Sequence, residues 1–179
     1  MTPVAPVPGL EPAFTVDARL GPLEDHGMTR AGHRRVIAIA GGRARFLPWD
    51  GGLGDRGLGD GGLGDGGLDA AVDAEILPGG ADWQVVRADG TIEIDTRYSA
   101  VTAAGEYVHF RTSGVRSGPP AVLAALLAGE QVDPAAYYFR VAVYLETAAA
   151  RLSCLERSIF VASAVRGADS VTYTAYRVT

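Results

Sequence analysis

The stretch "ADWQVVRADGTIEIDTRYSAVT", residues 81–102, sets an acid, an amide, two further acids and an arginine at alternating positions of two strands. Asp89-Gly90 reads as a two-residue hairpin turn, and such a turn fixes the pairing of both flanking strands. Asp82 then faces Arg97, Gln84 faces Asp95, and Val86 faces Glu93. One face carries Asp82, Gln84, Glu93, Asp95 and Arg97, while the other carries Trp83, Val85, Ile94, Thr96 and Tyr98. Carboxylates and a guanidinium on one wall of a cavity could hold an anionic or carbonyl-bearing ligand and move protons. The same face could equally be solvated, with Asp82 and Arg97 as a cross-strand ion pair worth ~0.2–1 kcal/mol. Alternation alone leaves both readings open.

Later segments pose the same choice. In "YYFRVAVYLET", Tyr138, Arg140, Tyr144 and Glu146 share a face against Phe139, Val141, Val143 and Leu145. In "YVHFR", Tyr107, His109 and Arg111 lie opposite Val108 and Phe110. In "LERSIF", Glu156 alternates with Arg157 on what reads as a strand.

Several chemistries are excluded. The three histidines show no H-x-H or H-x-x-x-H spacing, so no metal site is expected. "GVRSG" is not a nucleophile elbow, and no G-x-G-x-x-G bridges a strand and a helix. The chain has no lysine, which removes Schiff-base catalysis. No cofactor is expected. A net charge of −5 argues against a nucleic-acid partner, and no apolar run is long enough for a membrane span. Cys154 is the single cysteine and reads as a small buried hydrophobe. With a proline-rich start that lacks an export pattern, it points to a reducing cytoplasm.

The elements that must position these groups are mostly strands. "AFTVDARLG", "HRRVIAIAGGRARF", "LDAAVDAEI", the 81–102 hairpin, "GEYVHFRTSGV", "YYFRVAVYLET", "CLERSIFVASAV" and "SVTYTAYRV" alternate as strands do. One helix fits "SGPPAVLAALLAGEQ", with Ser117 as cap, a proline in the first turn and Gly129 at the end. Without a βαβ rhythm, this order predicts an all-β chain: a single antiparallel β-barrel with one short helix, spanning residues 1–179. Residues 1–12 read as loose. Residues 51–67, with period five and aspartates directly after glycine, read as a flexible insertion. That spacing leaves no room for the strand each calcium-binding repeat requires.

"GHRRVIAIAGG", "LPGGADWQVVRADGTIEIDTRY", "GPPAVLAALLAGEQVDPAAYYFR", "ERSIFVAS" and "YTAYRV" together resemble the uncharacterised family catalogued as UPF zero-three-eleven, or DUF thirty-two thirty-seven. The resemblance implies a calycin-like barrel with a central cavity. It sets Asp82, Trp83 and Gln84 at a D-W-Q motif and Asp95, Arg97 and Tyr98 at D-x-R-Y. Tyr138 and Arg140 fall in Y-F-R, and Glu146 at the acid of F-E-T. Glu156 stands where the family pattern has the amide of N-R-S, a departure that suggests its own proton chemistry.

The expectation is a cofactor-independent enzyme of the cyclase, isomerase or lyase kind, acting on a small carbonyl-containing metabolite. Glu156 and Asp82 would be its proton-transfer groups. Trp83, Gln84, Asp95, Arg97, Tyr98, His109, Tyr138, Arg140 and Glu146 would line the ligand. A non-catalytic carrier and a structural partner protein are the alternatives, and a second copy of the chain is an admissible partner.

Overall fold

The structure is a computed structural model that describes residues 4–49 and 67–179. The expectations for the pentapeptide repeat therefore lie, Gly67 apart, outside the described residues. The strands are β1 Leu10–Thr29, β2 Gly32–Phe46, β3 Val72–Ile76, β4 Ala81–Val86, β5 Ile92–Thr102, β6 Tyr107–Ser117, β7 Tyr138–Glu146, β8 Phe160–Arg166 and β9 Ser170–Val178. Helix α1, Pro120–Leu127, joins β6 to β7.

All strand pairings are antiparallel, and they close on themselves because β1 pairs with both β2 and β9. β3 and β4 run in the same direction between β2 and β5, so together they form one stave interrupted at Leu77–Gly80. The result is the expected single antiparallel barrel, its ring closed by β1. The start is tighter than expected. β1 pairs Leu10 with Val178, and Gly9 and Thr179 exchange backbone hydrogen bonds of 2.9 and 3.1 Å.

Period-two alternation decides what faces inward. Along β5, Ile92, Ile94, Thr96, Tyr98, Ala100 and Thr102 are buried, and the residues between them are half-exposed. β2 shifts its inward set midway: Ile37 and Ile39 are buried before Gly41-Gly42, and Ala44 and Phe46 after it. Gly42 makes this bend possible. It has φ +140°, and an added Cβ would sit 2.1 Å from the Asp17 carbonyl oxygen.

The two ends of the barrel differ. At one, Phe14 packs against Phe46, Phe160 and Phe110 at ring distances of 5.5, 5.2 and 6.1 Å. A 3-10 helix, Ala150–Arg157, seals this end with buried Leu152 and Leu155. That helix corrects the expected strand "CLERSIFVASAV", which starts only at Phe160. At the other end, the mouth, α1 lies over the opening. Leu126 joins the core, Leu123 approaches Gly90 of the β4–β5 turn, and Gly129 lies against Ala168 of the β8–β9 turn. Pro120 opens the helix. Gly129, at φ +80°, closes it as its N–H reaches Leu126 O and the Glu130 N–H reaches Ala125 O. Ser117 remains in β6 and makes no cap.

Candidate functional site at the barrel mouth

The β4–β5 turn has three residues, not two. The Gly90 N–H donates to Arg87 O at 3.0 Å, the Arg87 N–H donates to Thr91 O at 2.8 Å, and Gly90 takes φ +82°. One extra loop residue moves every partner by one, and in a pleated ladder that exchanges the faces. Asp82 pairs with Thr96, and Ala81 pairs with Arg97. The expected Asp82–Arg97 pair is therefore absent, and the polar set divides. Asp82 and Gln84 point into the barrel, while Asp95 and Arg97 join Trp83 outside.

Asp82 is the centre of the interior polar group. Between Asp82 and Val85 the β4–β5 ladder opens, and the carboxylate takes the place of a backbone acceptor. Its Oδ1 accepts the Asp95 backbone N–H at 3.3 Å, and its Oδ2 accepts the Gln84 amide at 2.6 Å. The Thr96 hydroxyl donates as well. Asp82 is only 8% exposed. Desolvation outweighs these donors and the charge of Arg116, so its pKa lies above the ordinary carboxylate value.

Asp82 lines an interior cavity of about 40 Å³ with Thr96, Thr112, Tyr98, Tyr173, Phe139 and several aliphatic side chains. Such a space holds a water or two. Below Asp82, the Tyr98 and Tyr173 hydroxyls share a 2.6 Å hydrogen bond, and burial raises both pKa values.

Three arginines complete the mouth, and none was singled out from the sequence. Arg35 on β2, Arg116 on β6 and Arg166 on β8 continue inward-facing stripes: Ile37 and Ile39; Val108, Phe110 and Thr112; Ala162 and Ala164. Arg116 is 5% exposed, and its guanidinium stands 5.4 Å over the Phe139 ring. Desolvation first, and then the charge of Arg166, push its pKa down to about 10. The Arg166 Nη1 donates to Ser170 O at 3.0 Å, and its backbone N–H donates to the Tyr137 hydroxyl at 3.0 Å.

The other expected site residues stand on the outer wall. The Arg97 guanidinium lies 5.9 Å over Trp83 and 3.2 Å from the Asp95 carboxylate. Arg140 lies 5.2 Å over the Tyr138 ring, on the exposed face of β7. His109 contacts Ser99 Oγ at 3.4 Å and pairs across the ladder with exposed Glu146. These side chains do not converge on Asp82. Glu156 is a correction too. It is exposed on the 3-10 helix at the sealed end, where its Oε1 accepts the Thr147 N–H at 3.1 Å. Thr147 follows the far end of β7 from Phe139, so Glu156 and the mouth lie at opposite ends of the barrel.

Among the described residues, no cluster of His, Cys, Asp and Glu is arranged to hold a metal ion, and no helix is long and apolar enough to cross a membrane. Fold and site together define a nine-stranded antiparallel barrel with a buried acid and arginines at one mouth. The chain belongs to the family described as "Protein of unknown function (DUF3237)", whose model matches residues 8–178. A UPF0311 protein from Bradyrhizobium diazoefficiens is 34% identical over 165 residues, 92% of this chain and 93% of the relative.

Solved structures agree on the architecture. A conserved protein of unknown function from Rhodopseudomonas palustris superposes with a TM-score of 0.78 at 31% identity, covering 98% of this chain and 100% of that one. A β-barrel-like protein from Acinetobacter baumannii gives 0.72 at 32% identity, covering 98% and 99%. An enzyme from Penicillium herquei shares the fold alone, with a TM-score of 0.63 at 15% identity over 100% of both chains.

Proposed function

We propose that this barrel binds a small carbonyl-containing metabolite at the α1 mouth and acts on it as a cofactor-independent enzyme of the cyclase, isomerase or lyase kind. The observation that carries the reading is Asp82: a carboxyl group inside an apolar barrel, lining a cavity, with its pKa raised by desolvation. Such a group exchanges protons nearer neutrality than a surface aspartate does, which is what general acid–base catalysis requires. Asp82 takes a proton from carbon next to the carbonyl, or gives one to its oxygen. Gln84 and the Asp95 N–H hold the carboxyl in place, and Arg116 faces the charge that develops on oxygen.

A pocket for a metabolite needs ~300 Å³ or more. The cavity beside Asp82 is far smaller, so a ligand needs further room, which a shift of α1 away from the mouth would supply. Gly118 and Gly129 flank the helix, and Leu126 is its one fully buried side chain. Re-exposing a leucine costs ~1.5–3 kcal/mol, within reach of binding energy. The mostly aliphatic cavity lining also favours a second reading, a carrier for an apolar metabolite.

Native mass spectrometry of the purified protein, followed by turnover of any retained metabolite, separates the two. Under the enzyme reading, Asp82→Asn lowers turnover by roughly 10²–10⁴-fold with little loss of binding. Turnover that survives in Asp82→Asn removes Asp82 from the chemistry, and retention without turnover leaves the carrier.

A further inference from the structure

We infer that the mouth beneath α1 is a binding site for the ionised acid group of an organic molecule, held by Arg116 with Arg35 and Arg166 beside it. The inference uses the pocket of the reading above and adds a charge to its ligand, but it does not depend on turnover.

The argument starts from a charge imbalance inside a folded chain. Three strands, β2, β6 and β8, each carry an inward apolar stripe that ends in an arginine at the mouth. Of the carboxylates near them, Asp82 already accepts from Gln84, the Asp95 N–H and Thr96, and Asp25, across the ladder from Arg35, is engaged by His33. No Asp or Glu oxygen among the described residues forms an ion pair with Arg35, Arg116 or Arg166. Nε and Nη1 of Arg116 are buried without a protein acceptor, as is Nε of Arg35. An arginine only 5% exposed, with buried orphaned donors, is a costly arrangement unless it meets an anion when the protein works.

The surroundings choose the kind of anion. A guanidinium matches the planar oxygens of a carboxylate, to which it donates charge-assisted hydrogen bonds. Phe139 forms the floor beneath Arg116, and Val122, Leu123 and Leu126 of α1 supply the cover. A bare inorganic ion would leave these apolar groups unmatched. An organic acid offers the carboxylate to the arginines and its apolar body to Phe139 and α1.

The test compares benzoate with its uncharged counterpart benzamide, using thermal unfolding of the full chain. Benzoate near saturation is expected to raise the melting temperature by about 2–5 °C. Benzamide, and inorganic phosphate at equal concentration, should do little. Arg116→Met should abolish the benzoate response while unfolding cooperatively, and Arg166→Gln should weaken it. If Arg116→Met does not fold, Arg166→Gln alone decides the matter. Asp82→Asn should keep the response, so a failure of the proposed reaction leaves this result standing. The inference is overturned by an absent benzoate shift, by an equal shift with benzamide or phosphate, or by an unchanged benzoate response in the arginine variants.

Discussion

Replacing Arg116 with methionine should make the ligand-free protein more stable. Arginine stays charged throughout the neutral range, so in the folded chain its guanidinium pays for burial continuously. Burial and the neighbouring Arg166 push its pKa well below the usual guanidinium range, to about 10, a drop equivalent to a penalty of about 3 kcal/mol on the charged form. The side chain is almost fully buried, so solvent screening removes little of this. The contact over Phe139 returns ~1–2 kcal/mol. Methionine keeps an unbranched stem against Phe139 and drops the charge, as when buried ionic groups are replaced by hydrophobic ones of similar volume. The difference favours the variant by ~1–2 kcal/mol, or roughly 2–8 °C for a chain of this length. The measurement is a denaturant titration at pH 7, read as a higher midpoint at an unchanged slope. A midpoint lower by a similar amount would refute the reasoning, since Arg116 would then have acceptors that satisfy it.

Two further expectations concern the carboxylates. Asp82 has a folded-state pKa above its unfolded value, so the stability tied to its protonated form is complete below about pH 4 and is lost as pH rises through the folded value. Melting curves of the wild type and Asp82→Asn from pH 4 to 8 should therefore diverge with rising pH, the wild type losing ground; parallel curves would mean that Asp82 is not desolvated. Glu156→Gln should leave turnover unchanged, and Glu156→Ala should cost under ~1 kcal/mol, because an exposed Thr147 N–H finds water when its acceptor is removed. A turnover loss of tenfold or more in Glu156→Gln would return this residue to the chemistry.

Alternation and turn residues carried most of the fold. The strand order, the single helix, its proline start and its Gly129 end can all be read along the chain. So can the split of β7 into Phe139, Val141, Val143 and Leu145 against Tyr138, Arg140, Tyr144 and Glu146. The site was less legible, and for local reasons. Asp89-Gly90 suits a two-residue turn and a three-residue turn alike, and the difference of one residue decides whether Asp82 meets Arg97 or Thr96. Glu156 lies in a stretch whose alternation imitates a strand, although the chain there forms a 3-10 helix that buries Leu152, Cys154 and Leu155. The mouth arginines did leave a signal. "VHFRTSGVR" and "FVASAVR" both carry an apolar stripe into an arginine of the same parity, as "RVIAI" does in reverse from Arg35. A charged residue in phase with a buried stripe is either at the end of a barrel or inside it.

The contrast between the two ends also explains how the chain accommodates its glycine-rich segment. Trp49 and Leu68, on either side of that segment, pair with each other, the Trp49 N–H reaching Leu68 O at 3.1 Å. The Trp49 ring sits 6.3 Å from Phe160, and Leu68 is buried in the core. Both anchors therefore belong to the aromatic end, beside the 3-10 helix, a barrel length away from Asp82 and Arg116. Packing at that end is dense and apolar, which lets it hold the ring of strands closed whatever length of chain lies between the anchors. The mouth holds the opposite kind of group: a carboxyl whose charge is disfavoured and a buried Arg116 with two unpaired donors. Stability concentrated at one end allows the other to keep polar groups that a ligand, more than the fold, can satisfy.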